Sequence, residues 1–147
     1  ITCRDWSSDV CSSDLSSLQL INFWQDLSID IKNNRLYIPE KSLIDFSLSK
    51  NDIINIDNQE RILSLLDELY ERTSSLMNDG RKILKHLKPL RLKFEIALTI
   101  EGGTRILQKI KKYDIKILKS RPKLKIIDYI IILFRCFSSI IFSKRWK

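Results

Sequence analysis

Gln19, Asn22, Asp26 and Asp30 are the residues of this chain best placed to do chemistry. They are spaced by three, four and four residues, and on an α-helix that spacing stacks them along one face. Two carboxylates one turn apart repel each other by a few tenths of a kcal/mol. In a buried setting the repulsion grows and one of them keeps a proton. A hard cation removes the conflict. Mg²⁺ takes oxygen ligands, retains waters, and is usually held by one or two carboxylates together with substrate phosphates. The amides of Asn22 and Gln19 add an oxygen or a donor on the same line. Leu18, Phe23, Leu27 and Ile29 frame the stripe, with Leu20 and Trp24 further round. A polar stripe so framed is expected to line an internal cavity. The plain alternative is a solvated helix face that happens to carry two acids.

The elements that must position these residues can be read from periodicity and punctuation. A helix is expected from Ser17 to about Ile31, stopped at Asn33-Asn34, because Asn tolerates left-handed backbone angles. Arg35 to Pro39 should be extended, since the residue before a proline avoids the helical region. A short helix follows from Pro39 to Phe46, then a loop or short helical segment over 48–57. Asp57 with Glu60 has the form of a capping box that opens a long helix to about Leu87. Along it Ile62, Leu65, Leu66, Leu69, Leu76 and Met77 recur at helical spacing, and Gly80 is a candidate bend. Another helix is expected from Leu90 to Lys112, with Gly102 and Gly103 inside it. Glycine there marks either close packing or room for a ligand. A basic connector leads to Arg121-Pro122, which is expected to start the last helix.

The string Q-L-x-N-x-x-x-D-x-x-x-D, followed by K-N-N-R-L-Y-I-P, resembles the second aspartate-rich motif of the squalene/phytoene synthase family. Arg35, Tyr37 and Pro39 match the tail that follows the motif there. The variant N-F-W-Q-D-L-S-x-D is most similar to the hopanoid-pathway branch, the hydroxysqualene synthases. More weakly, the resemblance extends to about residue 135. It implies an all-α fold, the C-terminal part of an isoprenoid-synthase (terpenoid synthase) domain spanning 17–147. It also implies Mg²⁺ as cofactor and a prenyl diphosphate as substrate. Asp26, Asp30 and Asn22 would be metal ligands, and Asp26 and Asp30 the catalytic pair. Gln19, Asn22, Arg35 and Tyr37 would meet the diphosphate or line the cavity.

In that chemistry the metal acts as Lewis acid on the leaving diphosphate, and apolar and aromatic walls shield the resulting carbocation. In the hydroxysqualene branch presqualene diphosphate ionises, rearranges and is captured by water. Squalene or phytoene synthesis by head-to-head prenyl transfer is the neighbouring alternative. One departure separates them: many head-to-head synthases carry Arg-x-Tyr where Glu101-Gly102-Gly103 stand here. A trans-prenyl chain elongase would carry D-D-x-x-D, which is not found. The first aspartate-rich motif is missing, so the chain reads as the C-terminal half of an enzyme that is inactive alone. On the residues themselves, Arg35 could equally pair with Glu40 or Asp45, and Tyr37 could equally be a packing residue.

Composition bounds the rest. Of 147 residues 44% are hydrophobic, with 3 Gly and 3 Pro, which suits a helical globular protein and argues against disorder. Asp5 to Leu15 reads DWSSDVCSSDL, which looks like translated sequencing adapter, so residues 1–16 are set aside as an artefactual tail. Cys136 is then alone, without disulfide or metal-ligand spacing, and a reducing cytoplasm fits. His86 is the single histidine and is expected at the surface.

Charge is segregated. Residues 16–80 carry 6 Lys/Arg against 11 Asp/Glu, and residues 81–147 carry 19 against 4. A basic half can meet nucleic acid, anionic lipid or polyphosphate. No nucleic-acid-binding motif is present. The stretch from Ile126 to Phe142 is strongly apolar but broken by Asp128, Arg135, Ser138 and Ser139, and it is short of the roughly 20 apolar residues a span requires. It is expected to pack in the core or to lie at an interface. Lys144, Arg145 and Lys147 favour peripheral contact with an anionic surface, such as the inner face of the cytoplasmic membrane. A non-enzymatic, basic, helical membrane-binding module is the reading from another class; protein partners are not legible.

Overall fold

Hydrophobic residues recurring every three to four positions dictate helices, and helices are what form. The computed structural model describes residues 16–144, with side chains to residue 141. The expectation about the artefactual tail therefore falls almost wholly outside the described residues. Helix α1 covers 16–25. It is followed by α2 (Leu27–Lys32), α3 (Glu40–Asp45), α4 (Lys50–Asn55), α5 (Gln59–Gly80), α6 (Leu90–Tyr113) and α7 (Ile126–Lys144). Two 3₁₀ turns, Arg81–Lys85 and Asp114–Leu118, follow α5 and α6. The described residues contain no strand, so the fold is all-α, as expected.

The core is a sandwich of α1, α5 and α6. Helix α5 contributes Ile62, Leu65, Leu69, Thr73 and Met77, and α6 contributes Ala97, Ile100, Gly103, Leu107 and Ile110, all buried. Full burial of each such Leu or Ile contributes about 1.5–3 kcal/mol. Helix α1 lies on them with Ser17, Ile21 and Trp24 inward, and Ser28 of α2 continues that face. The Trp24 indole Nε1–H donates to Thr73 Oγ1 at 2.9 Å, and Thr73 Oγ1 donates in turn to the Leu69 carbonyl at 2.7 Å. Gly103 explains how closely the helices approach. A Cβ placed there would lie 2.9 Å from both Leu18 Cδ2 and Met77 Cε. At Gly102 a Cβ would meet nothing within 4 Å. The two glycines thus divide the two roles the sequence left open: one is close packing, the other open space.

Helix ends follow local chemistry, with some departures from expectation. Asn34 adopts the left-handed conformation at φ 56°. The Arg35 N–H reaches the Asp30 carbonyl at 2.8 Å and the Asn34 N–H reaches that of Ile31 at 3.0 Å, which is a Schellman stop. Helix α5 starts at Gln59 behind a left-handed Asn58 that makes no side-chain cap bond. The box expected at Asp57 and Glu60 does not form. A reciprocal box does form one helix earlier, between Ser49 and Asp52. At Gly80 the α-helix yields to the 3₁₀ turn, so the long helix ends sooner than its apolar pattern suggested.

The last helix is the largest correction. It begins at Ile126, not at Arg121-Pro122. Pro122 is instead buried, its carbonyl accepting from Gln25 Nε2 at 2.8 Å. The Asp128 carboxylate accepts the Lys125 N–H at 2.6 Å, capping the new start. Helix α7 joins the core along one side only, through Ile132 and Cys136. Ile126, Ile127, Ile130, Leu133, Phe134 and Phe137 are exposed, while Asp128 is buried against Arg105 and Lys109 of α6. No helix among the described residues is long and apolar enough to cross a membrane.

Candidate functional site

The oxygen ladder survives folding as a ladder. Between α1 and α2 the chain makes a shallow notch at Asp26, φ −92° and ψ 3°, yet the hydrogen bonding carries through. The Asp26 N–H donates to the Asn22 carbonyl and the Asp30 N–H to the Asp26 carbonyl, both at 2.9 Å. Asn22, Asp26 and Asp30 therefore stay in line, one turn apart. Because Ser17, Ile21, Trp24 and Ser28 claim the inward face, the stripe points the opposite way. Gln19 and Asn22 are exposed, and Asp26 and Asp30 are half-buried. The enclosure expected around the stripe is not supplied by this chain's described residues.

The surroundings of Asp26 were not readable from the sequence. Arg121, from the connector before α7, places Nε 2.6 Å from Asp26 Oδ1. The contact is an ion pair without hydrogen-bond alignment: Oδ1 is shielded from solvent and accepts no hydrogen bond. Pro122 holds that connector in place through Gln25. A guanidinium thus stands at the carboxylate ladder from the far end of the chain. Local periodicity carries no signal for such a pair, and Arg121-Pro122 was expected only to start the last helix.

Tyr37 lies on the flank of the stripe. Its ring stacks on Phe23 with centroids 4.6 Å apart and planes 11° apart, and it remains 45% exposed. It is a packing residue with one face and its edge still open. Arg35 is exposed. Among the described residues it forms no ion pair with Glu40 or Asp45, so its guanidinium is available beside the helix stop. Glu101, where the family's Arg-x-Tyr would begin, is buried and paired with Arg81, and it accepts from Ser139 Oγ at 2.8 Å. That carboxylate ties α6 to α7 and to the 3₁₀ turn after α5. His86 is exposed, as expected.

Whether the ladder suits a metal can be judged from its donors. Two carboxylates and two amides make an all-oxygen set, which fits Mg²⁺ and does not fit a soft metal. Asp26 Oδ1 already faces the Arg121 guanidinium, so a cation at the ladder would compete with that ion pair. The described residues hold no cluster of three or more His, Cys, Asp or Glu. A cation at the ladder would have at most two carboxylates, with its remaining positions left to other oxygens.

Residues 14–128 match the squalene/phytoene synthase family. The chain belongs to that family. It is similar to the hydroxysqualene synthase of Rhodopseudomonas palustris (strain ATCC BAA-98 / CGA009), with 30% identity over 84% of this chain and 42% of that protein. It is also similar to the hydroxysqualene synthase of Sinorhizobium fredii (strain NBRC 101917 / NGR234), with 28% identity over 67% of this chain and 34% of that one. Both relatives lie in the branch to which the N-F-W-Q-D-L-S-x-D string pointed. The chain spans about two fifths or less of the length of these curated relatives. No solved structure matches it.

Proposed function

We propose that this chain supplies one of two aspartate-rich faces of an enzyme that ionises a prenyl diphosphate. In this reading presqualene diphosphate is the substrate, hydroxysqualene the product, and hopanoid or triterpenoid synthesis the setting. The observation that carries it is the unbroken oxygen ladder on α1 and α2, in a chain whose curated relatives are hydroxysqualene synthases. Asp26, Asp30 and Asn22 would hold Mg²⁺, and Gln19 would orient the diphosphate. When bound, the ion neutralises charge building on the leaving oxygen.

The chain's own residues set the rest of the work. Arg121 stands against Asp26 and can exchange that carboxylate for a phosphate oxygen, to which guanidinium bonds are strong. Arg35 offers a second guanidinium at the helix stop. The stacked Phe23–Tyr37 pair presents aromatic surface beside the ladder, suited to a cationic centre. Residues outside this chain would close the cavity over the exposed stripe and bring the first aspartate-rich face. Alone, the chain would be inactive.

The test is a comparison of two proteins with presqualene diphosphate and Mg²⁺. The 147-residue chain should give no product, and a full-length enzyme carrying it should release hydroxysqualene. Turnover by the chain alone would refute the division of the site. Squalene or phytoene as the full-length product would refute the branch.

A further inference from the structure

Helix α7 packs only one narrow side on the protein, where Ile132 and Cys136 are buried among polar residues. Asp128 pairs with Arg105 Nη2 at 2.7 Å and with Lys109 Nζ at 2.5 Å, Arg135 Nη1 reaches Gln108 Oε1 at 3.3 Å, and Ser139 donates to Glu101. Its outward side is apolar. Ile126, Ile130, Leu133, Phe134, Phe137 and Ile141 are between 45% and 81% exposed. At about 100° per residue, these residues together with the exposed Ile127 and Tyr129 fill an arc of about 160° along a helix about 28 Å long. An arc that broad, on a helix fixed to its protein by ion pairs, is an interaction surface rather than scattered exposure.

Its rim is basic. At the N-terminal end of α7 lies an open cleft of about 350 Å³ lined by Arg105, Lys109, Lys112, Lys123 and Lys125, with Asp128 as the one acid. Asp128 is already engaged by Arg105 and Lys109, so the cleft keeps a net positive charge. An apolar stripe beside a basic cleft matches the acyl boundary and the phosphates of an anionic bilayer. The helix does not meet the length and hydropathy of a span.

We propose that α7 is an interfacial anchor: it lies in the plane of an anionic membrane, apolar arc down, with lipid phosphates seated in the Arg105–Lys125 cleft. This does not rest on the diphosphate reading, because it uses none of the ladder residues. A membrane would suit an enzyme with apolar substrates, but the geometry alone makes the argument.

The test is co-sedimentation of the 147-residue chain with vesicles. Phosphatidylglycerol mixed equally with phosphatidylcholine should carry the chain down, phosphatidylcholine alone should not, and raising salt should weaken binding. Lys112→Gln with Lys123→Gln should weaken binding about 25-fold, at about fivefold per lysine. Ile130→Ser with Phe134→Ser, both at exposed positions, should abolish it with the helical circular dichroism unchanged. Loss of that circular dichroism in the pair would be resolved by Phe137→Ser, another exposed position, from which weakened binding is likewise expected. No binding to the anionic vesicles, or binding indifferent to the apolar substitutions, would overturn the proposal. So would a dimer that the apolar substitutions dissociate, which would assign the face to a second copy.

Discussion

The adjacent glycines of α6 give the sharpest test of how the ladder helix is seated. An interior helical glycine is about 1 kcal/mol worse than alanine. At Gly102 an added Cβ meets nothing within 4 Å, so Gly102→Ala should recover most of that, about 0.5–1 kcal/mol. At Gly103 the same methyl falls 2.9 Å from Leu18 Cδ2 and Met77 Cε and 3.3 Å from Ile21 Cδ1. Overpacking of this kind costs about 1–3 kcal/mol. The two nearest atoms are the ends of flexible side chains, so the cost should sit at the lower end. Set against the same helical gain, Gly103→Ala should be neutral to about 1 kcal/mol destabilised. The two variants should therefore differ by about 1–2 kcal/mol, or about 2–6 °C in Tm. Urea unfolding of the two proteins side by side measures the difference directly. Equal stabilisation by both would show that Leu18 and Ile21 do not rest on Gly103, and the placement of α1 would be wrong.

Other outcomes follow from single contacts. Thr73→Val keeps the shape but strands the buried Trp24 indole N–H, and should cost about 1–3 kcal/mol in urea unfolding; an unchanged midpoint would remove the bond from the account. The Lys109 ammonium, the Lys125 N–H and Arg105 hold the Asp128 carboxyl well below its usual value of 3.8. A depressed folded value means this stabilisation is complete above about pH 4 and is lost as pH falls through the folded pKa. Asp128→Asn should therefore lower stability at neutral pH and flatten the acid limb; a parallel loss at every pH would contradict the pairing. Burial pushes the Cys136 thiol up. In a Cys3→Ser, Cys11→Ser background it should react with thiol reagents only on unfolding, and rapid labelling of the native protein would contradict its burial.

Much of the fold was legible because it depends on local rules. The apolar spacing gave α6 within a residue of the helix observed and the start of α5 within two, though α5 ends about two turns early, and Asn33-Asn34 stopped the ladder helix where left-handed backbone was expected. The capping box at Ser49 and Asp52 had a readable Ser-x-x-Asp spacing that the segment's weak periodicity obscured. The long-range ion pairs had no such signature. Neither Arg121 beside Asp26 nor Arg81 beside Glu101 leaves a trace in local pattern, since the partners are brought together only by packing. Helix α7 was legible as apolar but not as so widely exposed. Hydropathy counts apolar residues and does not say that Asp128, Arg135 and Ser139 share the inward side with Ile132 and Cys136. The direction of the ladder was likewise hidden: Trp24 and Ile21 compete for the same core, and they win it.

The central claim is that the ladder of Gln19, Asn22, Asp26 and Asp30 holds Mg²⁺ and a diphosphate. Its most direct test is steady-state turnover of presqualene diphosphate by the full-length enzyme carrying Asp26→Asn and Asp30→Asn, across a magnesium titration. The account predicts that kcat/KM falls at least about 100-fold, with unchanged circular dichroism and a weakened dependence on magnesium. Undiminished turnover with the wild-type magnesium dependence would contradict it.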